Sequence, residues 1–202
     1  MMLKMSKLRE SVRNLKYLFE LTRSAAIARR YFVIGAFDGA LTVLGVIIGV
    51  YVAEASVHPE LARQLIIGAG LAGGIALAVS SGVGAYEAER VEHILSHKNL
   101  EQAMLSSVEG TRKEAMRVSI VVSATVHGVA PMIAAFVPLV PFFFMPLHEA
   151  VVTGIVITMM FLFVLGAFLG NLIKEIFVYT GLRFVIAGLA TAIVLILIGG
   201  HP

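Results

Sequence analysis

The chain contains no cysteine. That absence removes disulfides, iron–sulfur clusters, thiolate zinc sites and cysteine nucleophiles together. Any metal handled here must accept oxygen and imidazole, with methionine as the sole sulfur. Charge is also scarce: 14% of the 202 residues are charged, against 58% hydrophobic, and the mean hydropathy is +0.91. A soluble domain carries about 25% charged residues, so a lone water-soluble globule is excluded. Aspartate is scarcer still, Asp38 being the only one. There is no internal repeat, low-complexity tract or second globular domain. Residues 1–30 lack the uninterrupted apolar core of a signal peptide.

What the sequence does contain is long apolar runs. They cover about Tyr31–Ala53, Gln64–Tyr86, Val118–Met145, Ala150–Leu172 and Val178–Gly199. A spanning helix needs about 20 apolar residues, and none of the runs alternates as a barrel strand would. The expected fold is an all-α integral membrane protein of five transmembrane helices spanning 31–202. Of the 16 Lys and Arg, all but Arg63 fall before the first span, between the second and third, or about the link from the fourth to the fifth. The positive-inside rule places those segments, and the N-terminus, in the cytoplasm and the C-terminus outside. The net charge of +3 thus reports topology and implies no nucleic-acid partner. In residues 1–30, Leu8, Val12, Leu15 and Phe19 recur at helical spacing among Lys and Arg, predicting a basic amphipathic helix on the cytoplasmic leaflet. Residues 87–117 read as a short cytoplasmic helical extension of the second span, turning near Ser106-Ser107 or Gly110 before the third.

Glycines four apart (Gly35/Gly39, Gly45/Gly49, Gly70/Gly74, Gly166/Gly170) predict close helix contacts in lipid. Pro138 and Pro141 interrupt the third run near its outer end. Against this apolar background Asp38 stands out, because a carboxylate within a span costs about 2.5–3.5 kcal/mol on insertion scales. Thr42 lies one turn further on the same face. Ser80 and Ser81 make the second span hydroxyl-rich, and His127 is a further polar residue within the third. In the polar segment, Glu89, His93 and His97 fall at i, i+4 and i+8, with Glu92 beside them. Carboxylates and imidazoles within two turns suit Fe²⁺, Mn²⁺ or Zn²⁺, although the interleaved Arg90 and Lys98 also suit a solvated, salt-bridged face. Ile94 stands where a zincin needs glutamate, and a G-x-S-x-G elbow is absent, so no enzyme is expected.

The ordered motifs resemble those of the vacuolar iron transporter family, Fe²⁺/Mn²⁺ transporters of yeast, plants and prokaryotes. The first span, R-Y-F-V-I-G-A-F-D-G-A-L-T-V-L-G-V-I-I-G, is similar to the family's first helix at Arg30, Gly35, Asp38, Gly39, Thr42 and Gly49. The second, G-L-A-G-G-I-A-L-A-V-S-S-G-V-G-A-Y, is similar to the family's A-G-x-x-x-G-A-x-S-M-A-x-G-E-Y, with Ser80, Gly84 and Tyr86 in place. P-L-V-P-F from Pro138 and L-G-A-F-L-G from Leu165 resemble its third and fourth helices. Ser81 replaces the family's Met and Ala85 its Glu. The resemblance implies a five-helix homodimer, in the cytoplasmic membrane if the chain is prokaryotic, exporting Fe²⁺ or Mn²⁺ from the cytosol against protons. It implies no resident cofactor. Asp38 matches the family's metal-path Asp. Combined with the residue chemistry, the expected path is Asp38, Thr42, Ser80, Ser81, Tyr86 and His127, and the expected metal ligands are Asp38, Glu89, Glu92, His93 and His97. The two replacements motivate an alternative: a metal-binding or sensing protein of the same fold without conduction.

Overall fold

An apolar segment in a bilayer finds no water for its N–H and C=O groups, so it closes them on itself as helix. The computed structural model describes residues 24–54, 58–104 and 111–199, and those residues contain helices and no strand. In chain order the helices are α1 (Ser24–Glu54), α2 (Pro59–Met104), α3 (Thr111–Phe136), a 3-10 helix (Val137–Phe143), α4 (Leu147–Leu172) and α5 (Phe177–Gly199). Five segments are long and apolar enough to cross a bilayer: Ala25–Glu54, Pro59–Ser96, Met116–Phe143, Leu147–Leu172 and Phe177–Ile198. The expected amphipathic segment before Ser24 and the expected turn near Ser106-Ser107 or Gly110 lie outside the described residues.

Helix α2 continues well past the apolar run that starts it. Its 46 residues extend about 69 Å at 1.5 Å per residue, against about 30 Å of hydrocarbon. Nothing in Glu87–Met104 breaks a helix, and the Arg90–Glu87 pair at 2.9 Å supports the polar turns at i, i+3 spacing. The third run is not helical in one form throughout. After Phe136 it tightens into the 3-10 helix, where Pro138 and Pro141 are buried; each proline removes a donor and crowds the carbonyl four residues back.

The chain packs as two units. One comprises the described residues of Val33–Val79 and those from Val129 onward. Its interior holds two apolar clusters, one around Val43, Ile47, Ile66, Leu139 and Phe142, the other around Val33, Ala36, Ala40, Ala134 and Leu162. Here α4 packs against α5 and against the 3-10 helix. A Cβ on Gly166 would meet the Gly181 Cα at 2.9 Å, so α4 and α5 touch backbone to backbone, as the glycine spacing predicts. Gly70 and Gly74 likewise receive Leu139 and Ala135. Gly49, by contrast, faces open space. Outward-facing apolar side chains such as Ile75, Val164, Ile193 and Leu197 meet the solvent that hydrocarbon provides. The second unit joins the described residues up to Phe32 with the described part of Ser80–Gly128.

The α4–α5 turn contains the one backbone anomaly among the described residues, Lys174 at φ 59°. Glu175 N donates to Gly170 O at 3.0 Å and Lys174 N to Asn171 O at 3.4 Å, a Schellman ending in which glycine is the favoured residue at this position. A lysine there costs about 1 kcal/mol. Lys174→Gly is therefore expected to raise the thermal midpoint of the detergent-solubilised protein; an unchanged or lower midpoint would show the turn to be relaxed with lysine.

Candidate functional site

Within the unit containing Ser80–Gly128, α2 meets α3 at Gly82, where a Cβ would lie 3.4 Å from the Ala124 carbonyl oxygen. Two turns further along the same face of α2 comes Glu89, only 6% exposed. A buried carboxylate needs partners, and α1 and α2 supply them. Arg30 Nη2 lies 3.8 Å from Glu89 Oε1. His93 Nε2 lies 3.7 Å from Glu89 Oε2, realising the i, i+4 pair that the spacing predicts. The Tyr31 hydroxyl is beside the same carboxylate. Both nitrogens sit within ion-pairing range yet beyond hydrogen-bond length, and His93 Nε2 is buried with no hydrogen-bond partner. One carboxylate oxygen and one imidazole nitrogen thus face each other at 3.7 Å, a separation that bonds of about 2.0–2.2 Å to a single divalent ion can span.

The remaining sequence-selected residues are distributed differently. Glu92 is exposed, Ser80 and Tyr86 are exposed, and Ser81 is half-buried. The His97 side chain lies outside the described set. Among the described residues no three His, Asp or Glu side chains form a group able to hold a metal, so Glu89 and His93 are the pair that one chain brings together. His127 Nδ1 donates to the Tyr31 carbonyl at 2.9 Å, and the two rings lie 4.9 Å apart. That bond ties α3 to α1 next to the Glu89 partners. Arg30 and Tyr31 are what sequence reasoning missed as members of this cluster. Arg30 registered as a topology charge and Tyr31 as the start of a span; their position one α-helical register from a buried carboxylate is a tertiary fact. Ser119 and Ser123, whose buried hydroxyls have no partner, carried no signal beyond their four-residue spacing.

In the other unit, the position of Asp38 follows from its neighbour. A Cβ on Gly39 would fall 2.6 Å from the Pro131 Cα, so α1 and α3 are in backbone contact there. Gly39 faces α3, and Asp38, about 100° around the helix, is turned outward and exposed. Thr42, one turn on, is half-buried; its methyl lies 3.7 Å from where a Gly73 Cβ would be. A carboxylate thus stands exposed on an apolar span, one turn from Thr42, whose methyl approaches α2. At the far end of α1, Tyr51 Oη and His148 Nδ1 are hydrogen-bonded at 2.7 Å.

This arrangement can attract a cation at Asp38 within the span, and separately at the Glu89–His93 pair. Comparison with known proteins places the chain in a family. The VIT family profile matches residues 87–200. An uncharacterized protein of Methanocaldococcus jannaschii, MJ0645, is 35% identical over 175 residues, covering 84% of this chain and 87% of its own length. The chain belongs to the VIT family, the vacuolar iron transporters, and is an integral, multi-pass membrane protein.

Proposed function

We propose that the protein moves Fe²⁺ and/or Mn²⁺ out of the cytosol in exchange for protons, as a homodimer and not as an enzyme. The observation that carries this reading is Asp38: a carboxylate inside an apolar span that the chain itself leaves exposed. A charge there costs about 2.5–3.5 kcal/mol against lipid, so it calls for a hydrated path or a covering subunit. The exposed small-residue face about Gly68 and Ala72 on α2, open even to an added Cβ at Gly68, suits close approach by a second copy.

In this reading the basic segments are cytoplasmic, with the N-terminus inside and the C-terminus outside. Residues 1–30 lie at the interface, and 87–117 form a cytoplasmic helical extension of the five-helix domain at 31–202. Glu89 and His93, with Glu92 and His97 on the same helix, take metal from the cytosol. Asp38 is the carboxylate the ion meets within the membrane, with Thr42, Ser80, Ser81, Tyr86 and His127 along the route. Oxygen and imidazole bind metal when deprotonated and release it when protonated, which couples the ion to a proton flowing the other way.

Anoxic Fe²⁺ flux in proteoliposomes is the direct test. Uptake driven by an imposed pH gradient, and collapse of that gradient by added Fe²⁺, are expected. Metal binding with no flux under either gradient would replace transport by sensing.

A further inference from the structure

Arg30 and Arg183 each combine an ion pair with a tyrosine ring, but among the described ion pairs with lysine or arginine only Arg30 faces a buried carboxylate. Its Nη2 lies 3.8 Å from the buried Glu89 carboxylate, while its own side chain is 64% exposed. Its guanidinium carbon also sits 5.3 Å from the centre of the Tyr31 ring, within cation–π range. Arg30 therefore touches two stations at once, one buried and anionic, the other aromatic and next to water. Glu89 needs a positive charge whenever no metal is present, because an unpaired buried carboxylate is strongly unfavourable. It does not need two. A divalent ion between Glu89 Oε2 and His93 Nε2 would repel the guanidinium and supply the missing charge itself.

We propose that Arg30 is a tethered counter-cation that competes with the divalent ion for Glu89. It fills the carboxylate's charge requirement in the empty state and withdraws over Tyr31 when metal binds. This rests on Glu89 being a metal ligand. Its consequence is a site that binds more weakly and releases more readily than the bare Glu89–His93 pair would. The guanidinium is held loosely enough to leave: 3.8 Å is too long for a hydrogen bond, and little ordering is lost by a side chain already largely in solvent.

Mn²⁺ binding to the full-length protein in detergent, followed by electron paramagnetic resonance titration, tests the competition. Arg30→Gln is expected to tighten the Glu89-dependent site about fivefold, the scale of a partly exposed ion pair. Arg30→Lys, which keeps the charge, is expected to stay near wild type. Phenylglyoxal labelling of the unaltered protein, read at Arg30 by peptide mass spectrometry, provides a measurement that no folding defect can mimic. Mn²⁺ should accelerate labelling in the wild type and have no effect in Glu89→Gln, where Arg30 is already free. Unchanged or weaker binding by Arg30→Gln, or Mn²⁺-insensitive labelling of the wild type, overturns the counter-cation while leaving Glu89 as a ligand. Identical Mn²⁺ binding by wild type and Glu89→Gln removes Glu89 from the metal site, and the competition with it.

Discussion

Asp38→Asn is expected to abolish metal flux in proteoliposomes while leaving the protein at least as stable as the wild type. The two effects have opposite physical origins. Two unit charges about 4 Å apart attract by roughly 4 kcal/mol at an effective dielectric near 20, and every 1.4 kcal/mol is about tenfold in rate. Removing the negative charge that offsets an ion's dehydration therefore lowers flux by about a thousandfold, to the level of leak. Stability moves the other way, because asparagine keeps the shape of the side chain and escapes the insertion cost of about 2.5–3.5 kcal/mol. A carboxylate with a packing role would lose flux and thermal stability together. Retained flux in Asp38→Asn, with a normal thermal midpoint, would take Asp38 out of the transport route.

Gly39→Val is expected to be among the most destabilising single substitutions in the protein. The added Cβ would lie 2.6 Å from the Pro131 Cα, and main chain cannot rotate away as a side chain can. Overpacking costs about 1–3 kcal/mol where side chains yield; here two helices must separate, so at least about 3 kcal/mol is expected. Gly49→Ala is the matched control. Gly49 occupies the same helix and faces open space, so alanine there should be neutral or stabilise by up to about 1 kcal/mol through helix propensity. The thermal midpoints of the two variants, measured side by side in one detergent, separate the close contact from any general intolerance of α1 to substitution. Equal midpoints would mean that α1 and α3 do not rely on that approach. Because the contact turns Asp38 outward, a folded fraction of Gly39→Val should also transport poorly.

Several features could be read from the one-dimensional pattern because they depend on it alone. Five spans follow from run length, since hydrocarbon admits only segments that satisfy their own backbone. The glycines at 39, 70, 74 and 166 are legible as contacts for the same reason: lipid gives helices no hydrophobic drive, so small residues mark where they meet. Gly49 fits the same spacing and makes no such contact, because spacing identifies a helix face without saying whether a neighbour covers it. The Glu89–His93 pair was visible as i, i+4 on one helix. Its burial was not, since that depends on α2 closing against α3 at Gly82 and on α1 bringing Arg30 and Tyr31 to the same place.

The scarcity of charge and the absence of cysteine therefore determined the class of protein and the kinds of ligand atom it can offer to a metal. Hydropathy and residue type are local quantities, and the bilayer reads them locally. Which carboxylate is buried and paired, and which is turned outward, was decided only by tertiary structure. Glu89 sits in a polar stretch, yet it is buried beside Arg30 and Tyr31 of α1 and His93 of its own helix. Asp38 sits within an apolar span, yet it is exposed, because the backbone contact of Gly39 with Pro131 sets the rotation of α1.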